Sequence, residues 1–328
     1  MPQKIIIDTD PGVDDAMAIL FAFQSPELEV MGLTSVFGNV EVALATDNAL
    51  RLVEFADKPE VVVAQGAAGP LVGEFGGAAD FVHGADGFGD VGLLPNPTLK
   101  AVEAPAAEWI VEQVMAHPGE ITLVPIGPLT NIALALELEP RIAENAEVVL
   151  MGGAATVHGN INPAAEANIY NDPHAADRVF TAGWPLTMVG LDVTTKILME
   201  EAYLESLRTS KMGEFIFQIS RYYQRFHEKY HGLQALHTHD PAAIAYLIDP
   251  TLFTVETGPI RVATDGVTRG HTLLDRHQKW VEPNAWSEQK PVNVCVEADA
   301  ERLRALFKAR IGGNPEGAGA KNLRQGRG

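Results

Sequence analysis

The sequence predicts an α/β fold: a single doubly wound, mostly parallel sheet of the open, Rossmann-like kind, with helical insertions near the mouth of the active site. Three observations predict it. Strand-like and helix-like segments alternate through most of the 328 residues, the rhythm of a parallel sheet with crossover helices. The first apolar run, Ile5-Ile6-Ile7, reads as a central strand covered on both faces. The residues after it are acids, at the carboxyl end of that strand, where open α/β sheets receive ligands.

The elements follow in order. Residues 4–9 are a strand and 14–24 a helix, opened by Pro11-Gly12, since proline suits the start of a helix. Residues 29–36 are the second strand, 41–56 the next helix and 60–64 a third strand. Residues 66–98 are rich in Gly and Pro with little periodicity, and so long an irregular stretch is usually functional. A helix over 106–116 starts at Pro105, then come a strand at 121–126, a helix at 129–138 and a strand at 147–151. A Gly-rich loop runs through Asn171, followed by a helix at 175–181 and a strand at 185–191. From 200 to 247 the pattern is mainly helical. Short strands return at 253–263, 271–274 and 292–296, before a last helix at 300–310. No linker or internal repeat interrupts this, so residues 1–311 are expected to form a single domain. The Gly-, Asn-, Lys- and Arg-containing stretch 312–328 is expected to be a disordered tail.

Composition narrows the function classes. A formal net charge of -19 argues against nucleic acid or a membrane surface as partner, since both want basic patches. No apolar run is long enough to span a bilayer, and Met1-Pro2-Gln3-Lys4 leads straight into the first strand without a signal peptide. Cys295 is the only cysteine, so no intrachain disulfide forms. Its apolar strand setting reads as core packing rather than a nucleophile. A cytoplasmic protein is expected.

Asp8, Asp10, Asp14 and Asp15 fall within eight positions. Like charges this close repel, and desolvating them costs several kcal/mol unless a positive charge offsets it. A hard divalent cation with oxygen ligands is the natural offset. Asp14 and Asp15 also suit a helix first turn, but capping alone leaves Asp8 and Asp10 unexplained. On a helix these two neighbours point about 100° apart, so one could bind metal while the other holds substrate. Further candidates sit at other strand ends. Asn39 ends the second strand. His83 lies in a glycine-rich loop and is a candidate proton donor. Ile126 ends a strand where a backbone carbonyl could face the same crevice. Asn160, Glu166 and Asn168 form a polyol-binding set, with Asn as donor and acceptor and Glu as acceptor. His239-Asp240 opens a helix, without the partner spacing zinc requires. Tyr222, Tyr223, Phe226 and Tyr230 lie just upstream at helical spacing, as core residues or as a stacking surface for a ring.

With these residues the sequence resembles the inosine-uridine-preferring nucleoside hydrolases over nearly all of residues 4–311. The carriers are Asp8-Thr9-Asp10-Pro11-Gly12-Val13-Asp14-Asp15, Gly38-Asn39, Met151-Gly152-Gly153, Ala165-Glu166-x-Asn168 and His239-Asp240, in the family's order and at similar spacings. The resemblance implies calcium-dependent hydrolysis of ribonucleosides to base and ribose. It implies a calcium ion held by Asp10, Asp15, the Ile126 carbonyl and Asp240, with Asp10 as general base. It places Asp14, Asn160, Glu166 and Asn168 on the ribose hydroxyls with Asn39 close by, and His239 or His83 at the leaving group; of the aromatic group, Tyr230 is the substrate-side candidate. Ala167, where many relatives carry Phe, opens one wall of the base pocket. Having both histidines implies broad or pyrimidine-tilted use of bases. A homodimer or homotetramer in nucleoside salvage is implied as well. Two rivals remain at this point: a haloacid-dehalogenase-like phosphatase, with Asp8 as nucleophile and Asp10 as acid, and a non-catalytic nucleoside or ribose sensor.

Overall fold

The computed structural model describes residues 1–277 and 279–313. The expected tail, from residue 314 on, lies outside the described residues. The chain opens with β1 (Gln3–Thr9), α1 (Val13–Phe23), β2 (Leu28–Ser35), α2 (Val42–Phe55) and β3 (Val62–Gln65), followed by a long irregular segment that contains one short helix, α3 (Asp80–His83). Then come α4 (Ala106–Ala116), β4 (Ile121–Pro125), α5 (Thr130–Leu138), α6 (Ile142–Asn145) and β5 (Ala146–Met151). The third stretch holds α7 (Ala167–Asn171), α8 (Pro173–Thr181), β6 (Leu186–Val189), α9 (Leu191–Thr194), β7 (Leu198–Glu200) and α10 (Glu201–Glu205). The long helix α11 (Lys211–His231) leads to β8 (Ala235–His237) and α12 (Asp240–Ile248), and the described chain ends with β9 (Phe253–Gly258), β10 (Ile260–Val262), β11 (Thr272–Leu274), β12 (Val292–Ala298) and α13 (Ala300–Ile311).

Eight strands form one sheet in the order β3-β2-β1-β4-β5-β6-β12-β9. All neighbours are parallel except β9, which runs antiparallel to β12 at the edge. The topology reverses at β1, with β2 on one side and β4 on the other, the point at which such sheets open a ligand crevice. Ile5, Ile6 and Ile7 are fully buried. Ile5 and Ile7 join the core on the face covered by α1, α11 and α12, and Ile6 joins the core beneath α4, α5 and α8. This two-sided burial is why β1 reads as a continuous apolar run.

Two local differences from the sequence expectation have simple causes. The strand expected over 253–263 is split at Pro259, which cannot donate a ladder bond. β9 stays in the main sheet while β10 pairs with β11. The mainly helical stretch also hides a small antiparallel pair, β7 with β8, whose three-residue strands are too short to show a period. The irregular segment after β3 is pinned over the strand ends. Ala67 N–H donates to Asn131 Oδ1 at 2.8 Å, and Leu71 N–H donates to Asp172 Oδ2 at 2.7 Å.

Candidate active site

The acids after β1 are held by the turn into α1. Asp15 accepts from the Thr9 hydroxyl at 2.6 Å, from Gly12 N–H at 3.0 Å and from Asn39 Nδ2 at 2.9 Å. Asp10 Oδ2 accepts from Asn39 N–H at 2.6 Å, while its buried Oδ1 has no partner. Two glycines make room for this carboxylate. A Cβ on Gly38 would lie 2.0 Å from Asp10 Oδ2, and one on Gly127 2.6 Å from Oδ1. Asp8 sits one layer deeper, accepting from Thr34 Oγ1 and Asn131 Nδ2. Burial pushes it up to about 7.

From beside α1, on the same face of the sheet, α12 brings Asp240 to the same point. One carboxylate oxygen from each of Asp14, Asp15 and Asp240 lies within 4.8 Å of the others. Asp10 is not part of this trio. The expected ligand set and the trio therefore share Asp15 and Asp240 and differ in Asp10 and Asp14. The Ile126 carbonyl accepts from Asn168 Nδ2 at 2.8 Å, which ties the end of β4 to α7.

Uncompensated negative charge dominates this end. Burial, followed by repulsion from neighbouring acids, holds Asp10 and Asp240 well above the usual carboxylate range and pushes Asp14 up to about 8. Burial raises Asp15 and Glu166 as well. Asp14 Oδ1, like Asp10 Oδ1, is buried without a partner. A hard divalent cation fits such a set: every donor is an oxygen, the charge is unbalanced, and two carboxylate atoms are left over.

A cavity of about 360 Å³ opens above the acids, within the usual range for small-molecule sites. Asp14, Asn39, Ile126, Glu166, Asn168 and Asp240 line one end of it. Glu166 caps α7, accepting from Asn168 and Ile169 N–H and from Gly153 N–H at 3.0 Å. Asn160 lines the rim, its Oδ1 accepting from Ala167 N–H at 2.9 Å.

Aromatic rings and imidazoles line the rest of the cavity, His83 directly beside Asp14. Six of the chain's ten histidines border the cavity: His83, His158, His227, His231, His237 and His239. His83 is not on an exposed loop as the sequence indicates. It ends α3, is buried, and its Nδ1 accepts from Val13 N–H at 3.2 Å, which leaves its hydrogen on Nε2. It lies 3.9 Å from Asp14 Oδ1, but burial pushes it down to about 3, so the contact is not an ion pair. His239 Nδ1 is 2.8 Å from the Thr194 hydroxyl, and burial holds this imidazole well below its usual value.

Tyr230 is not brought to the cavity. It is 57% exposed in the last turn of α11 and packs on Phe226 at 5.1 Å. Phe226 and Tyr223, one and two turns earlier, line the wall instead. The last turn of α11 runs past the core, so the helical stripe continues where there is nothing left to cover. Sequence reasoning also passed over His227 and Thr194. The crowding of four histidines into residues 227–239 was the available signal.

An open α/β sheet with an all-oxygen acidic cradle at its switch point, opening into a cavity lined by rings and imidazoles, defines a small-molecule enzyme site. The chain belongs to the inosine-uridine preferring nucleoside hydrolase family, whose sequence model matches residues 5–305; it is a hydrolase of the N-glycosyl bond of ribonucleosides. It is 45% identical over 313 residues to uridine nucleosidase 1 of Arabidopsis thaliana, covering 94% of this chain and 93% of that one. A solved plant nucleoside hydrolase superimposes with a TM-score of 0.93 at 43% identity, covering 96% of this chain and all of the other. The purine-preferring ribonucleoside hydrolase of Gardnerella vaginalis gives 0.88 at 37% identity, over 94% and 98%. Family membership removes the phosphatase and sensor alternatives. No helix among the described residues is long and apolar enough to cross a membrane.

Proposed function

We propose that this chain hydrolyses ribonucleosides to free base and ribose with calcium in the acidic cradle and with broad or pyrimidine-tilted use of bases. The observation that carries this is a cluster of buried carboxylates, with Asp10 Oδ1 and Asp14 Oδ1 unpartnered, from which Asp14, Glu166 and Asp240 reach a cavity also lined by rings. Asp15, Asp240 and the Ile126 carbonyl, with Asp10, would hold the ion. A hard cation bound there supplies neutralising charge and polarises the nucleophile.

The residues divide the remaining work. Asp14, Asn160, Glu166 and Asn168 grip the ribose hydroxyls, with Asn39 fixing Asp10 and Asp15 beside them. Asp10 takes the proton of the attacking water as general base. Bond cleavage passes through an oxocarbenium-like state, which the anionic Asp14 and Glu166 favour electrostatically. His239 or His83 donates a hydrogen bond to the departing base; the Nε2 hydrogen of His83 is free for this. Attack from the acid side and departure toward the ring side give inversion at the anomeric carbon.

Incubation with inosine, uridine and cytidine, followed by a reducing-sugar assay, tests the reading. Free ribose is expected from at least one of them, and no release from any would overturn it. The family likeness further supports a cytoplasmic homodimer or homotetramer formed from one domain over residues 1–311, and light scattering on the purified protein measures the subunit count.

A further inference from the structure

The carboxylate of Asp192 is fully buried, yet the chemistry described above gives it no role. It stands in the first turn of α9, just past the end of β6, next to residues Leu191 and Thr195 that line the cavity. Both of its oxygens are used, and by one short stretch of chain. Oδ2 accepts from Ala155 N–H at 3.0 Å, and Oδ1 accepts from Thr156 N–H at 2.7 Å and from the Thr156 hydroxyl at 2.5 Å. Burying a charge is unfavourable unless hydrogen bonds satisfy it. A neutral amide would be easier to bury, but its NH2 group would meet another donor. Only a carboxylate accepts on both sides.

Asp192 holds the loop between β5 and α7, which carries Asn160 and Glu166. The hold falls at the loop's first turn. Gly153, two residues before Ala155, is fixed on both sides. Its carbonyl accepts from Leu191 N–H of α9 at 2.9 Å, and its N–H donates to Glu166 Oε2 at 3.0 Å. Packing there is close, since a Cβ on Gly190 would lie 2.6 Å from the Gly153 carbonyl oxygen. Beyond Thr156 such anchors stop. Among the described residues, the hydrogen bonds of 157–165 stay within the loop or reach Ala167. Asp192 is thus the last hydrogen-bonded anchor before Asn160 and Glu166. The same short helix carries Thr194, whose hydroxyl meets His239, so α9 ties this loop to the histidine.

We propose that Asp192 is a positioning residue for the sugar: by clamping residues 155 and 156 to α9, it sets the Gly153 N–H that aims Glu166 into the cavity. Asp192 itself does not line the cavity. Glu166 acts on charge that develops in the transition state, so misplacing it costs turnover more than binding. The inference rests on the nucleoside hydrolase reading and adds to it a residue that touches neither substrate nor metal.

The test measures kcat and KM of Asp192→Ala, Asp192→Asn and Thr156→Val on uridine and p-nitrophenyl riboside, which share a ribose and differ in leaving group. With KM held within about threefold, kcat should fall by about 10² in Asp192→Ala and about tenfold in Asp192→Asn, which keeps one acceptor. Thr156→Val removes a single hydrogen bond and should cost about three- to fivefold. Both substrates should lose by the same factor, because the ribose is common to them. Asp177→Asn is the control. Asp177 accepts from Arg261 and from Val262 N–H outside the cavity lining, so this variant should lower Tm and leave kcat unchanged. If Asp192→Ala does not fold, the other two variants decide. Unchanged kcat in both Asp192→Asn and Thr156→Val, a loss confined to uridine, or an equal fall in kcat in Asp177→Asn would overturn the assignment. Release of ribose from neither substrate by wild type would instead overturn the hydrolase reading itself.

Discussion

At the ribose end of the cavity, Asp15 and Glu166 each accept hydrogen bonds from three or more donors, whereas at the base end His227 accepts and donates none. The acids stand on strand ends and helix starts, the most rigid parts of an α/β sheet. The imidazoles stand on the last turns of α11 and on a three-residue strand. Burial acts on both ends with opposite signs, raising the carboxylates and lowering the histidines. A divalent cation would balance the acidic end, whereas the neutral imidazoles need no counter-charge. Geometry is fixed where charge develops in the reaction and left adaptable where the ligand varies.

The largest effect should come from breaking the acidic end. Asp10→Asn keeps an acceptor for Asn39 N–H but removes the base, so kcat should fall by about 10³. Because Asp10 would also hold the ion, Tm should fall with the weaker calcium binding and recover in excess calcium. Turnover near wild type in a folded variant would remove Asp10 from the chemistry. Removal of calcium should abolish activity slowly, because the cradle is enclosed, and should lower Tm by roughly 5 °C or more. Elemental analysis alongside a thermal scan checks this, and full activity in demonstrably calcium-free protein would refute the metal's role.

The same contrast explains what the sequence made legible. Four aspartates after a buried strand have no purpose in folding, so Asp10, Asp14 and Asp15 announce a site. Asp240, more than 200 residues on, joins them because α12 packs beside α1. Asn39 was legible at the site through the family resemblance but by itself only as a strand-end turn residue, since its bonds to Asp10 and Asp15 come from the pairing of β2 with β1. The base end was harder to read. His227 and Tyr223 follow the ordinary spacing of an amphipathic helix, and nothing local shows that one stripe of α11 faces a chamber rather than the core. Tyr230 has the same spacing and faces solvent. His83 was misplaced as exposed because the fold of residues 66–98 is set by distant anchors, Asn131 and Asp172, rather than by its own periodicity.

Next in size is the boundary between the two ends, where His239 bonds Thr194. His239→Ala should lower kcat on inosine by about 10² and hurt p-nitrophenyl riboside far less, because that leaving group departs without a proton. Equal losses on both would contradict a role at the leaving group. Thr194→Val keeps the shape and removes the hydroxyl partner of Nδ1. A smaller loss of the same pattern, about fivefold to tenfold, is expected if the hydroxyl only orients the ring.

The smallest effect isolates the base end from catalysis altogether. His227 is held down to about 3 in the folded chain, against about 6.5 for an exposed histidine. A lowered pKa means that the unfolded chain binds the proton more readily. The stability this residue contributes is therefore present above pH 6.5 and lost as pH falls toward 3. By pH 4 the loss is on the order of 2–3 kcal/mol. The buried carboxylates, raised by burial, act in the opposite direction over the same range, so the wild-type curve alone does not isolate the histidine. The difference between wild type and His227→Phe does, since the acids are common to both. Urea midpoints measured from pH 7.5 to pH 4 should fall less steeply in the variant. Parallel curves would mean that the ring is solvated and hydrogen-bonded in solution, and that the two ends of the cavity are less different than their geometry indicates.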